Sequence, residues 1–119
     1  MPSPSCILVV EDDFDLRDSL AGLLKDEGCN AVAVATGPDA LAWLRSHPAP
    51  KAILLDVMMP LMSGGQLFAE LKKDPALAPI PVVVLSAMND EQQRAEVPGA
   101  TAYLRKPISI GDLLAALEL

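Results

Sequence analysis

The chain has 119 residues, and 16 acidic against 9 basic side chains give it a net charge of −7 at pH 7. Nucleic acids and anionic membranes are held first by clusters of Lys and Arg, so this charge argues against both as direct ligands. A chain of this length buries enough surface to form one domain without a disulfide or a structural metal. We therefore expect a single acidic domain that contacts neither nucleic acid nor membrane directly.

The N-terminus and the cysteines indicate the compartment. The apolar run Cys6–Val10 follows no basic residue and ends at Glu11, so it is too short for a signal peptide or a membrane span. Cys6 and Cys29 match no metal-ligand spacing, and we interpret them as free thiols that pack as small apolar side chains. The sequence predicts a cytoplasmic protein.

The first half of the chain predicts two strand–helix units. Cys6–Val10 is a continuous apolar run, which is typical of a strand buried on both faces. Apolar residues at helical spacing follow it, with Asp13 as the N-cap and Gly28 at the C-terminal end. The same pattern then predicts a strand over 31–35 and a helix over 38–46.

The second half of the chain predicts three further units. A buried strand over 52–55 runs into Asp56, and the β-branched stretch 81–85 is followed by Ser86. Pro98 cuts off the helix that precedes the last strand. The last strand is expected over 102–104, and helices are expected over 63–73, 89–96 and 109–119.

The order of the elements predicts the fold class. Strands that alternate with helices through short connections form parallel sheets with right-handed crossovers and helices on both faces. We therefore predict an α/β fold, a doubly wound sheet of five parallel strands. In such a sheet, ligands bind at the carboxyl ends of the strands, so the polar residues at those ends form the candidate site.

Polar side chains follow four of the five predicted strands. Glu11 and Asp12 follow the first strand, Asp56 the third, Ser86 the fourth and Lys106 the fifth. Two carboxylates about 4 Å apart repel by roughly 1 kcal/mol in water and 4 kcal/mol at an intermediate dielectric, so the acids either hold a proton or bind a cation. An oxygen ligand set without His or Cys favours Mg²⁺ or Mn²⁺ over zinc.

A magnesium site beside a hydroxyl and an ammonium group indicates phosphoryl chemistry. We expect Asp56 to be the nucleophile that forms an aspartyl phosphate. Lys106 and the hydroxyl of Ser86 are expected to contact the phosphoryl oxygens, while the metal neutralises developing charge. We interpret Asp13, despite its neighbours, as a helix cap.

Four motifs carry a resemblance to a known family. They are ILVVEDD at 7–13, DVMMPLMSG at 56–64, VVVLSA at 82–87 and YLRKP at 103–107. With these motifs in order along nearly the whole chain, the sequence resembles the receiver domain of bacterial two-component response regulators. The resemblance implies a (βα)5 flavodoxin-like receiver fold with strand order 2-1-3-4-5.

The resemblance implies a role for each acid of the site. Asp56 is similar to the phosphoacceptor of the family, and Glu11 and Asp12 to the acid pair that organises Mg²⁺. Asp12 is expected to coordinate the metal directly, and Glu11 through a water molecule. The backbone carbonyl of Met58 is expected to be a further ligand.

The resemblance also implies a switch. Ser86 corresponds to the hydroxyl that moves toward the phosphoryl group, and Tyr103 to the aromatic residue that changes rotamer with it. Lys106 corresponds to the family's lysine before a cis proline, here Pro107. Phosphorylation is expected to pull the loops after the fourth and fifth strands and so to change the surface that partners contact.

The partners follow from the same resemblance. A histidine kinase or a phosphotransfer protein would supply the phosphoryl group from a phosphohistidine, and the chain would catalyse its own phosphorylation and dephosphorylation. A downstream protein or an output domain would respond, and a phosphorylation-linked dimer is left open. We interpret residues 1–119 as one receiver domain and leave open whether it is excised from a longer regulator or a hybrid kinase.

Two features depart from the family pattern. Met58 and Met88 stand two residues after Asp56 and Ser86, where polar residues can position the water that hydrolyses the acyl phosphate. Apolar side chains at both places predict a long-lived phosphoryl group. Pro98 predicts a short or irregular fourth helix.

Two other classes of function stay open. One is a pseudo-receiver that docks or dimerises without phosphotransfer, although the complete set of acids, hydroxyl and lysine argues against it. The other is a Mg²⁺-dependent phosphatase of the haloacid-dehalogenase type, which also works through an aspartyl phosphate. No DxD motif surrounds Asp56 and 119 residues leave no room for a cap domain, so the second alternative is disfavoured.

Overall fold

The computed structural model describes residues 6–59, 61–86 and 91–117, with the side chains of residues 93 and 94 left out. The described residues form five strands and five helices that alternate along the chain. In chain order they are β1 Cys6–Val10, α1 Phe14–Asp26, β2 Asn30–Val34, α2 Gly37–Ser46, β3 Ala52–Asp56, α3 Gly64–Lys73, β4 Val82–Ser86, α4 Glu91–Ala95, β5 Ala102–Arg105 and α5 Ile110–Ala116.

The strands form one parallel sheet in the order β2-β1-β3-β4-β5, which confirms the predicted fold. Its register sets the carboxyl ends side by side. Val10 pairs with Leu55, Asp56 pairs with Leu85, and Ser86 pairs with Arg105. The polar residues that end or follow β1, β3, β4 and β5 are therefore brought to one edge of the sheet.

Two apolar cores cover the two faces of the sheet. On one face Leu41, Phe68 and Leu71 from α2 and α3 pack against the strands. On the other face Leu20 and Leu113 from α1 and α5 do the same. Since β1, β3 and β4 are covered on both faces, their residues are apolar and buried up to the polar positions at their ends.

Local signals set most of the helix starts. The carboxylate of Asp13 accepts hydrogen bonds from the backbone N–H groups of Asp15 and Leu16, so its interpretation as a cap is confirmed. Ser63 and Gln66 form a reciprocal capping box at α3. Gly28, just after α1, has a φ of +86°, which the absence of a side chain permits.

Most predicted boundaries agree with the structure to within one or two residues. In the described part of the chain, α4 spans Glu91–Ala95 and ends one residue before the predicted helix over 89–96, whose residues 89 and 90 lie outside the described part. Pro98 follows it within three residues, as expected for a proline-terminated helix. The described part of the last helix ends at Ala116. Among the described residues, no helix is long and apolar enough to cross a membrane.

Candidate functional site

Three polar residues are buried at the carboxyl edge of the sheet. Glu11, Asp56 and Ser86 are exposed by only 1%, 3% and 1%. The backbone N–H of Glu11 donates to the carbonyl of Val34 at 3.2 Å, so the pairing of β1 with β2 continues to this residue. The sheet itself therefore holds these side chains where water is largely excluded.

Lys106 joins the acids from the fifth strand. Its backbone N–H donates to the carbonyl of Ser86 at 2.8 Å, and the bond to Pro107 is cis, as predicted. Its ammonium nitrogen lies 3.1 Å from Oδ1 of Asp56 and 3.2 Å from Oε2 of Glu11. The structure thus brings together a lysine and two carboxyls that lie 50 and 95 residues away in the sequence.

The carboxyl group of Glu11 is only partly satisfied. Its Oε1 accepts a hydrogen bond from the backbone N–H of Asp13 at 3.2 Å. Its Oε2 is buried and lies within ion-pair distance of Lys106, but it has no aligned hydrogen bond. A buried carboxylate oxygen without such a bond is costly, so this atom has the capacity to accept a further ligand.

Burial and mutual charge shift the ionisation of the cluster. Burial, followed by the charge of Asp56, raises the pKa of Glu11 from 4.5 to about 7. Burial also raises the pKa of Asp56, although Lys106 opposes the rise. Burial on its own would lower the pKa of Lys106, but the charges of Asp56 and Glu11 outweigh it and the pKa is raised. Two carboxyls that resist ionisation therefore lie beside a lysine that keeps its charge.

The acid cluster fits a divalent cation. Carboxylate oxygens of Glu11, Asp12 and Asp56 lie within 4.8 Å of one another. Glu11 and Asp56 are buried, whereas Asp12 is exposed to solvent. An all-oxygen set that includes an incompletely satisfied buried atom is the type of site that Mg²⁺ or Mn²⁺ occupies. The three acids predicted to bind metal are therefore brought together.

Ser86 and Tyr103 make separate contacts on the β4–β5 side. The hydroxyl of Ser86 donates to the carbonyl of Leu104 across a long 3.5 Å. The ring of Tyr103 packs against the core, and its hydroxyl donates to the carbonyl of Val97 and accepts from the N–H of Ala100. The tyrosine is therefore already turned inward here, and its change of rotamer stays a prediction.

Met58 and Met88 are the two residues that are expected to lie beside the water that hydrolyses the phosphoryl group. Met58 follows β3 by two residues and its side chain is 62% exposed. Met88 lies outside the described residues. The predicted role of the Met58 carbonyl and the predicted long life of the phosphoryl group both stay predictions.

Gly64 is a site residue that the sequence analysis missed. A Cβ atom at this position would lie 2.5 Å from the carbonyl oxygen of Asp56 and 2.7 Å from Cα of Val57. The backbone N–H of Gly64 donates to the carbonyl of Val57 at 2.8 Å. The start of α3 therefore lies directly against the end of β3, and the pair of glycines at 64 and 65 was the available signal, because glycine is unfavourable inside a helix.

Known proteins of similar sequence cover nearly the whole chain. The family model "Response regulator receiver domain" matches residues 7–118. Protein PilG of Pseudomonas aeruginosa is 32% identical over 94% of this chain and 84% of its own length. The transcriptional regulatory protein PdtaR of Mycobacterium tuberculosis is 37% identical over 98% of this chain, which spans only 56% of that protein.

Solved structures agree with the sequence matches. The signal receiver domain of a histidine kinase from Syntrophus aciditrophicus has a TM-score of 0.87 and 31% identity, and it covers 96% of this chain and 87% of its own. The structure of FixJ-N has a TM-score of 0.88 and 25% identity over 99% of this chain and 93% of its own. The solved structures therefore share the fold of this chain over nearly its whole length.

Proposed function

The chain belongs to the response regulator receiver domain family of two-component signalling, and from this premise we propose that it is a switch phosphorylated on Asp56. The observation that carries the proposal is the position of this carboxylate. Asp56 is buried at the end of β3, lies 3.1 Å from the ammonium group of Lys106, and shares a cluster with the carboxylates of Glu11 and Asp12.

The proposed cofactor is Mg²⁺, with Mn²⁺ as a substitute. Asp12, Asp56 and the backbone carbonyl of Met58 would hold the ion directly, and Glu11 would hold it through water. When bound, the ion neutralises charge that develops on the transferred phosphoryl group. The incompletely bonded Oε2 of Glu11 supports this assignment.

The proposed donor is a phosphohistidine of a histidine kinase or a phosphotransfer protein. A carboxylate oxygen of Asp56 attacks the phosphorus atom, an O–P bond forms, and the P–N bond to the imidazole breaks. The bonding electrons return to the imidazole nitrogen. Lys106 has to exchange part of its contact with Asp56 for a phosphoryl oxygen, and its raised pKa keeps it protonated for that task.

The proposed switch passes through β4 and β5. The phosphoryl group adds a charge of about −1.5 to −2 and attracts donors. The hydroxyl of Ser86 is one such donor, and its 3.5 Å bond to the carbonyl of Leu104 is weak enough to be exchanged. Leu104 follows Tyr103, whose hydroxyl contacts the turn over 97–100. A shift of β5 would therefore change this turn and the surface next to α4.

The output of the switch is proposed to be a change in protein contacts. A downstream protein or an output domain would bind the altered surface, and a phosphorylation-linked dimer is one form that this binding can take. The net charge of −7 argues against direct contact with nucleic acid. The proposed setting is the cytoplasm, where a kinase can supply the phosphoryl group.

The test is phosphorylation by a small-molecule donor. The chain is incubated with Mg²⁺ and acetyl phosphate, and intact mass spectrometry counts the added phosphoryl groups. We expect one group on the wild-type chain and none on Asp56→Asn. Asp26→Asn, an exposed acid at the far end of α1, is the matched control and should accept the group normally.

Three results would contradict the proposal in different ways. An adduct that persists in Asp56→Asn would place the phosphoryl group elsewhere. A wild-type chain without any adduct would favour the phosphorylation-independent pseudo-receiver. Rapid turnover of general phosphate esters would favour the phosphatase.

A further inference from the structure

Arg17 contacts the backbone of the loop that carries two of the three clustered acids. One guanidinium nitrogen, Nη1, donates to the carbonyl of Glu11 at 2.9 Å and reaches the carbonyl of Asp12 at 3.4 Å. These are two of the three residues that link the end of β1 to the start of α1. The side chain of Arg17 therefore joins the first turn of the helix to the peptide units that precede it.

Arg17 lies near the positive end of the dipole of α1. The N-terminal end of a helix has a partial positive charge that disfavours cations. Arg17 lies in the first turn of α1, and its own backbone N–H donates to the carbonyl of Asp13 at 2.9 Å. The hydrogen bonds to the carbonyl oxygens of Glu11 and Asp12 offset part of this unfavourable interaction.

Phe14 restrains the guanidinium from a second side. The Cζ atom of Arg17 lies 5.3 Å from the centre of the Phe14 ring, within the range of a cation–π contact. Phe14 is 66% exposed, so burial in a core does not account for its place at the start of α1. Residues three apart share a helix face, and the ring limits the rotamers that Arg17 can adopt.

We infer that Arg17 is a positioning residue of the metal site, acting through the two peptide units that follow Glu11 and Asp12. The carboxylate of Glu11 is fixed by burial and by the N–H of Asp13. Asp12 is exposed, and its side chain contacts that of Asp56 by a hydrogen bond, so the position of its backbone sets how that contact can form. By fixing both carbonyls, Arg17 orients Asp12 toward the cluster before a cation arrives, and this inference rests on the proposed function.

The test measures the affinity of the full chain for Mg²⁺ by titration calorimetry with magnesium chloride. Partners outside the first coordination shell commonly change metal affinity by about 10 to 100-fold. We expect Arg17→Met to raise the Kd about tenfold and Phe14→Ala to raise it about twofold. Arg45→Met, which removes an exposed arginine from the last turn of α2, is the matched control and should leave the Kd unchanged.

Two further measurements separate positioning from a general loss of stability. In the metal-free chain, Arg17→Met should speed hydrogen exchange at the N–H of Asp13 more than at the core strands. At saturating Mg²⁺, its rate of phosphorylation by acetyl phosphate should return to within about twofold of wild type. Arg17→Lys keeps the charge but not the planar fork, and should give a Kd about threefold above wild type.

The outcomes distinguish the inference from the function on which it rests. If folded Arg17→Met binds Mg²⁺ with wild-type Kd while the wild-type chain is phosphorylated, the inference is wrong and the proposed function stands. If Arg17→Met does not fold, Arg17→Lys decides, and an unchanged Kd overturns the inference. If the wild-type chain itself binds no Mg²⁺, both fail, and this is visible before any variant is made.

Discussion

The central strands β1 and β3 and the strand β5, one of the two edge strands of the sheet, contribute to the same site but are held very differently. β1 and β3 are each paired on both sides, and nearly all their residues are buried. β5 is paired only with β4, has four residues, and none of them is fully buried. The helices differ in the same way, since α1 and α3 have 13 and 10 residues while the described part of α4 has five.

This difference assigns the proposed chemistry to the central strands and the proposed movement to the β5 side of the sheet. The clustered acids come from the ends of β1 and β3, where closely packed strands bury the carboxylates of Glu11 and Asp56, while Asp12 is exposed. Tyr103 and Lys106 come from β5 and the residue after it, where fewer contacts hold the backbone. Regions with few buried contacts open at a low free-energy cost, so the β5 side is the part that added charge can displace.

We expect the greatest loss of stability from a substitution where α3 contacts the end of β3. Gly64→Ala places a methyl group 2.5 Å from the carbonyl oxygen of Asp56, so the backbone has to shift. Overpacking of this kind typically costs 1 to 3 kcal/mol, and a contact with backbone belongs at the upper end, so we expect a loss of about 3 kcal/mol. Urea denaturation measures the free energy of unfolding.

Gly22→Ala is the matched control for this substitution. Gly22 lies inside α1 and a Cβ there meets nothing within 4 Å. The higher helix propensity of alanine should stabilise the chain by about 0.5 to 1 kcal/mol. Equal and small effects of the two substitutions would show that the close approach of α3 to β3 is unimportant.

The next effect is a dependence of stability on pH that comes from the buried acids. The pKa of Glu11 is about 7 in the folded chain against 4.5 as its ordinary value, and that of Asp56 is also raised. Between these two values the folded chain binds a proton that the unfolded chain has lost, so stability rises as the pH falls. We expect the metal-free chain to be more stable at pH 6 than at pH 8 by roughly 1 to 2 kcal/mol.

Thermal denaturation in the presence of a chelator at the two pH values tests this dependence. Above pH 7 Glu11 is charged in both states, so the full cost of burying its charge is present there. Glu11→Gln removes the titrating group and should reduce the difference between pH 6 and pH 8. Greater stability of the wild-type chain at pH 8 would contradict the sign.

We expect a substitution on the β5 side of the sheet to reduce stability least. Tyr103→Phe removes the hydroxyl that contacts Val97 and Ala100, and one such hydrogen bond contributes about 1 kcal/mol. The loss should be local, so hydrogen exchange should quicken at the N–H of Ala100 but not at that of Asp13.

Thr101→Val provides the comparison for this local effect. Thr101 directly follows the turn over 97–100, but its hydroxyl accepts a bond at 3.2 Å from the N–H of Val82, which lies in β4 and not in the turn. A similar change in stability is expected without faster exchange at Ala100. If Tyr103→Phe speeds hydrogen exchange equally at the N–H groups of Ala100 and Asp13, the β5 side is not held more loosely than the central strands.

Much of the site was accessible from the sequence because its signals are local. The cap at Asp13 and the glycine at 28 depend on a few neighbouring residues. The polar residues were recognisable because each ends or follows an apolar run, and a parallel sheet aligns the ends of its strands. The strand order came from the family resemblance, since nothing in the pattern of one chain specifies which strands are neighbours.

Other features became visible only when distant segments met. The close approach of Gly64 to Asp56 depends on the angle between β3 and α3. The inward position of Tyr103 depends on the turn after the short α4. Although Arg17 is near Glu11 in the sequence, its contact depends on the path of the loop between β1 and α1.

The sequence by itself determined the fold class, the family and the residue types at the strand ends, because strand and helix periodicities and turn residues act over short distances. Only the tertiary structure decided that Lys106 lies between Glu11 and Asp56, and that one oxygen of Glu11 is buried without a hydrogen bond. Burial and the distances between charges control ionisation, and both depend on how strands far apart in the chain pack together.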